Sequence, residues 1–296
     1  MVIVRKRRIG NEDFFYLEHT VRINKAVEKR EKYLGKIVPK NIEEIKQEFF
    51  HEIFKEKWYS LLGRIKKNFV TEYASLPQTA KSKYFENFII KFTYNTNRIE
   101  GSTLTLRDTA NLLNEGISPR NRPVRDIKEA ESHKKVFYNM LEYKKELNLS
   151  IVLYWHGLLL QDTDKEIAGQ IRNHQVAIAG TAVQLPSPVE LNPRLDDFFA
   201  WYNKEKNRLH PVELAALVHL KFVSIHPFTD GNGRTSRIMM NFVLHKNKLP
   251  MLDISYSNRA SYYTALERSQ KTGKDYIFVQ YLIKRYVKEY KKYTNQ

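Results

Sequence analysis

From Asn41 onward the sequence keeps a helical period, and this limits its folds more than any other feature. In "NIEEIKQEFFHEIFKEKWYSLLGRIKKNFV", Ile42, Ile45, Phe49, Ile53 and Trp58 recur at steps of three, four or five residues. That spacing lines them along one side of an α-helix. Asn41, followed three residues later by Glu44, predicts a capping box at its start. Pro77 opens a break. "KSKYFENFIIKFTYNTNRIEG" predicts a helix ending near Gly101, and "TLRDTANLLNEG" a short one ending at Gly116. Helical patterns continue through "DIKEAESHKKVFYNMLEYKKEL", "SIVLYWHGLLLQ", "LNPRLDDFFAWYNKE", "HPVELAALVHLKFVSIH", "GRTSRIMMNFVLHKN" and "NRASYYTALERSQ" to the last segment. The expected fold is mainly α, a helical bundle with small β pieces.

Two stretches depart from that period. "VIVRKRR", "DFFYLEHTVRI" and "KYLGKIVP" are rich in β-branched and aromatic residues and are punctuated by Gly10-Asn11, Asn24 and Gly35. They predict a small antiparallel hairpin or meander, read as a structural appendage. "HQVAIAGTAVQLPSP" alternates Val176 and Ile178, turns at Gly-Thr, and resumes with Val183 and Leu185 before two prolines. That is a β-hairpin pattern. The expected division is a β-rich segment over 1–40, a helical region over 41–150 and a second helical core over 151–290.

The 296 residues, 42% of them hydrophobic, can bury a substantial core. With no cysteine, disulfides, thiolate metal sites and a cysteine nucleophile are excluded. The basic N-terminus lacks the apolar stretch of a secretory signal, and the most apolar run, "IVLYWHGLLL", is too short to span a membrane. A soluble, cytoplasmic protein without a membrane partner is expected. The net charge of +17 suits either a lysine-rich solvated surface or an acidic partner such as nucleic acid. Lysines often stand beside glutamates, as in "KAVEKREKY", which favours the solvated surface. Nucleic acid is not the expected partner; a basic nucleic-acid-binding protein is the non-enzymatic alternative, and salt-dependent DNA binding that survives loss of His226 is the observation that supports it.

The chemistry concentrates in "HPFTDGNGRTSR", residues 226–237. Pro227 cannot continue the preceding helix, so that helix stops near His226 and holds the imidazole at its end. Asp230-Gly231-Asn232-Gly233 is a turn, and a helical pattern resumes after it. A glycine loop entering a helix leaves backbone N–H groups for an anion, and the helix dipole adds attraction. Arg234 and Arg237 share a helix face, and two guanidinium groups suit a polyphosphate. Asp230 offers an oxygen to a hard cation such as Mg2+. Asn232 can fix a phosphate oxygen or a backbone group. His226 is close enough to deprotonate a hydroxyl attacking a bound phosphate. The chain has no P-loop and no H-E-x-x-H zinc helix. The chemistry implied is transfer of a phosphate-containing group from a nucleotide to a hydroxyl, driven by positioning and charge neutralisation.

This stretch resembles the Fic family, matching H-x-F-x-[D/E]-G-N-G-R-x-x-R at every specified position. The resemblance implies transfer of AMP from ATP to a Ser, Thr or Tyr hydroxyl of a target protein. It implies that His226 is the general base and that Asp230 holds Mg2+. Gly231, Asn232 and Gly233 would form the anion nest, with Asn232 and Arg234 on the phosphates. Arg237 would grip the γ-phosphate, and Thr235 and Ser236 belong to the same nucleotide-binding stretch. Phe228 is expected as a packing anchor. Gly233 points to AMP transfer, since phosphorylating relatives tend to carry Lys there. The hairpin resembles the family's flap, so Ile178, Ala179, Gly180 and Thr181 are expected at the nucleotide. A target would lie along 176–186 by strand addition. "AGQIRN" before the flap is also familial. "SYYTALERSQ" resembles the segment beside the adenine, giving Tyr262, Tyr263 and Gln270, although asparagine is common where Gln270 stands. Self-modification and a homodimer stay open.

"TNRIEGSTLT" answers the family's inhibitory pattern [S/T]-x-x-x-E-[G/N] with Thr96, Glu100 and Gly101. The implied device is a pair between Glu100 and Arg237 that withholds Arg237 from the γ-phosphate. Some relatives use the same glutamate to position water and remove AMP, so de-AMPylation is the alternative. His156 and His219, on apolar helices, are expected in the core or supporting the site. His133, His174 and His210 are expected at the surface or as helix caps.

Overall fold

The computed structural model describes residues 2–23, 26–178, 180–181 and 183–294. The chain divides into two compact units, one running to Arg64 and the other starting at Ile65.

The first unit opens with the expected meander. Strands β1 (Ile3–Ile9), β2 (Glu12–Ile23) and β3 (Ala26–Gly35) form an antiparallel sheet in that order. Gly10, at φ 64°, makes the two-residue turn between β1 and β2. Asn24, expected at the second turn, lies outside the described residues. Period-two alternation sends Leu17 and Val21 to one face, where they pack with Phe49 and Ile53 of α1 (Ile42–Ser75). On the strands, Glu18 accepts from Arg5 (3.2 Å), Arg7 (2.7 Å) and Lys29 (2.8 Å). These basic residues are therefore engaged within the sheet.

The second unit is helical. After α1, which crosses the division, come α2 (Gln78–Ile99), α3 (Leu106–Glu115), α4 (Val124–Glu142) and α5 (Leu149–Leu160). They are followed by α6 (Pro188–Glu205), α7 (Pro211–Ile225), α8 (Asn232–Lys246), α9 (Arg259–Thr272) and α10 (Asp275–Glu289). Sequence signals explain the boundaries. Pro77 caps α2, Gly116 closes α3 in the left-handed region at φ 69°, and Pro211 starts α7. Helix α8 is central. Ile238, Met239, Met240, Phe242, Val243 and Leu244 are all buried, and α2, α4, α5 and α7 pack around it. Among the described residues no helix is long and apolar enough to cross a membrane.

Two expectations are corrected. His133 is not at the surface: it lies with Glu129, Val136, Phe137 and Met140 on the buried face of α4. Its Nδ1 meets Thr93 Oγ1 at 2.8 Å, and burial pushes its pKa down to about 3. The stretch 176–186 turns as expected, with Gly180 at φ 77° and Thr181 N–H donating to Ile178 O, but its described residues form no strand ladder. An isolated two-stranded ladder is marginal. Side-chain bonds brace this one instead, including Gln175 Nε2 to Leu185 O (3.2 Å) and Thr181 Oγ1 to Glu267 (2.9 Å).

Candidate active site

His226 ends α7 in the left-handed region, at φ 52°, a conformation that costs a non-glycine residue energy and needs support. Its Nδ1 lies 3.2 Å from Val223 O. A carbonyl only accepts, so Nδ1 carries the proton and Nε2 keeps its lone pair. Burial lowers the imidazole's pKa, with the Arg172 cation adding to it, so the neutral base is favoured near neutral pH.

The loop beyond His226 is fastened from below. Phe228 is wholly buried, stacked on His156 at 3.7 Å and 9°. His156 Nδ1 accepts from Gly169 N–H, which leaves its Nε2 to donate to Asp230 O at 2.9 Å. Burial pushes His156 down to about 4, so it stays a neutral support, as its apolar helix predicted. Asn232 takes a backbone group rather than facing outward: Oδ1 accepts from Phe228 N–H (2.9 Å) and Nδ2 donates to Phe228 O (2.7 Å). Gly231, at φ 80°, starts α8, and a Cβ there would come within 3.2 Å of the His156 ring.

Arg234 and Arg237 have separate settings. Arg234 is buried between Glu129 (3.2 Å) and Asp230 (3.0 Å). Burial opposes ionisation of Asp230, but Arg234, the Gly231 N–H and Arg125 outweigh it and hold the carboxyl below its usual range. Arg237 donates to Thr96 Oγ1 (2.5 Å), Thr96 O (3.3 Å), Tyr262 OH (3.2 Å) and Glu100 Oε1 (2.5 Å). Tyr262 in turn meets His219 Nε2 at 2.9 Å. A Cβ built on Gly233 would collide with the Glu100 carboxylate. That carboxylate thus sits over the first turn of α8, where an anion would be received.

A cavity of 340 Å³ gathers Glu100, Ile178, Gly180, Thr181, His226, Gly233, Arg237, Tyr262, Tyr263 and Gln270. Ala179 lies outside the described residues. Asp230, Gly231, Asn232 and Arg234 stand beside the cavity in the loop and first turn rather than in its lining. Thr235 and Ser236 face the core: both are fully buried, and Ser236 Oγ donates to Gly233 O at 2.9 Å. Sequence reading did not single out Glu129, which holds Arg234, or Arg172, which bonds the His226 carbonyl at 2.9 Å. The arginine of "AGQIRN" was the available signal for Arg172.

Residues 146–244 match the Fic/DOC family. The chain is a Fic-domain protein. A protein adenylyltransferase Fic of Drosophila grimshawi is 34% identical to it over 198 residues, which is 66% of this chain and 40% of that protein. The chain spans about two fifths of the length of the curated relatives it matches. Its fold is similar to that of Fic-1 from Caenorhabditis elegans, with a TM-score of 0.73 and 26% identity over 86% of this chain and 76% of the other. A Fic domain containing signaling protein from Bacteroides thetaiotaomicron gives a TM-score of 0.68 and 27% identity, over 78% of this chain and 96% of that one.

Proposed function

We propose that this Fic-domain protein transfers AMP from ATP to a Ser, Thr or Tyr hydroxyl of a target protein and is restrained by Glu100. The observation that carries the reading is His226 Nε2, unprotonated, on the same cavity as Gly233 and Arg237. In the reaction Nε2 takes the proton of the acceptor hydroxyl. The hydroxyl oxygen then bonds to the α-phosphorus, the bond from that phosphorus to the β-bridging oxygen breaks, and pyrophosphate leaves. The first-turn N–H groups of α8 and the Arg237 guanidinium receive the phosphate charge.

Asp230 is a single carboxylate already engaged by Arg234 and Arg125, and among the described residues no group of three or more acidic or histidine ligands could hold a metal. That donor set fits Mg2+ arriving on the nucleotide and taking one protein oxygen, from Asp230. When bound there, Mg2+ supplies neutralisation of phosphate charge.

The target lies along 176–186, and a cleft of 470 Å³ beside Val183 and Gln184 gives its side chains room. Glu100 accepts from Arg237 and so occupies its guanidinium until a nucleotide displaces the carboxylate. Glu100 also lines the catalytic cavity, so ordering a water for removal of AMP is the second reading. The test is incubation of Glu100→Gly with α-phosphate-labelled ATP, Mg2+ and lysate. Labelling should rise over wild type, and His226→Ala in that background should remove it by about 10²–10⁴-fold. Labelling that survives His226→Ala defeats the proposal. Release of AMP from the labelled proteins by wild type, lost in Glu100→Gly, selects the second reading.

A further inference from the structure

Arg172 precedes the flap and is buried, with 4% of its surface exposed. Its guanidinium donates to three backbone carbonyls from separate stretches of chain. Nε bonds His226 O (2.9 Å), Nη1 bonds His174 O (2.7 Å) and Nη2 bonds Pro186 O (2.6 Å). Its own N–H donates to Pro227 O at 2.9 Å. His174 stands just before the flap and Pro186 closes it, so one rigid, planar fork holds both ends of the flap and the backbone of the base. The flap's described residues lack a ladder of their own, and the left-handed conformation of His226 persists only where its surroundings enforce it.

We infer that Arg172 is a positioning residue, a strap that registers the flap against His226 so that a hydroxyl carried on the flap arrives at Nε2. This rests on the reading of the site as an AMP transferase. Geometry of this kind matters steeply, because a misplacement of about 1 Å can cost about 10²-fold in rate. The strap also bears on the charge of the base. Burial is the main influence lowering the His226 pKa; the Arg172 cation lowers it further, while Glu100 and Asp230 raise it. A neutral side chain at 172 therefore raises the imidazole's pKa, and a lysine there preserves it.

The test uses full-length Arg172→Gln and Arg172→Lys, each also in the Glu100→Gly background, with melting curves recorded for all. Hydrogen exchange over 176–186 should quicken in both variants. Transfer of label from ATP to lysate protein should fall by about 10²-fold, with calorimetric ATP affinity unchanged. By NMR titration the His226 pKa should rise in Arg172→Gln and stay near wild type in Arg172→Lys. A folded variant with unchanged flap exchange and unchanged transfer overturns the inference. So does joint loss of ATP affinity and melting temperature in both variants, which would make Arg172 a general folding residue. Labelling that persists without His226 sinks the underlying reading. Labelling that needs His226 but ignores Arg172 sinks the strap alone.

Discussion

Replacing Glu100 with Gln keeps the side chain's shape and removes its charge. The pair it disrupts is unequally buried: the Arg237 side chain is 1% exposed and that of Glu100 29%. Stripping one partner from a fully buried pair costs about 3–5 kcal/mol, because the survivor is left uncompensated. Arg237 is better provided for, since Thr96 Oγ1, Thr96 O and Tyr262 OH still accept from it. The partly solvated carboxylate also lowers the cost. The loss is then that of one charge-assisted hydrogen bond, about 1.5–3 kcal/mol. At about 2–4 °C per kcal/mol for a chain of this size, the free variant should melt about 3–12 °C below wild type. A triphosphate no longer has to displace Glu100, so the same free energy reappears as about 10- to 150-fold tighter ATP binding. Differential scanning fluorimetry of the free protein and calorimetric titration with ATP and Mg2+ measure the two quantities. An unchanged melting temperature together with unchanged ATP affinity refutes the competition for Arg237.

Gly233→Ala should break the same pair without the gain, because its Cβ displaces the Glu100 carboxylate and fills the space a phosphate would take; fluorimetry should show destabilisation and calorimetry no tighter ATP. Asp253 is raised to about 7, chiefly by burial, against an unfolded value near the ordinary carboxyl range. The folded state therefore holds a proton that the unfolded chain has released, and stability falls as pH rises through that window. Asp253→Asn should raise the melting temperature more at pH 8, above the folded value, than at pH 5, where only part of that stability has been lost, and equal effects at both values would contradict this assignment.

The loop from His226 to Arg237 was legible because its parts are chain neighbours. Pro227 stops one helix, Gly231 admits the turn, and the arginines' spacing sets their face on the next helix. Glu100 was legible only as a pattern; its contact with Arg237 comes from the packing of α2 on α8. Glu129 and Arg172 escaped notice because the site residues they hold, Arg234 and His226, lie far from them in sequence. The flap's alternation promised a ladder, yet side-chain bonds brace it. His133 shares three- and four-residue steps with Glu129, Val136 and Phe137, the spacing that marks the buried face of α4 and that the surface reading did not use.

Arg237 grips α2 at Thr96 through both a hydroxyl and a carbonyl, independently of Glu100. Letting go of the carboxylate therefore does not unmoor the helix. Under the proposed restraint, release of Arg237 would call for a rotation of the Glu100 side chain rather than the slower travel of a whole element.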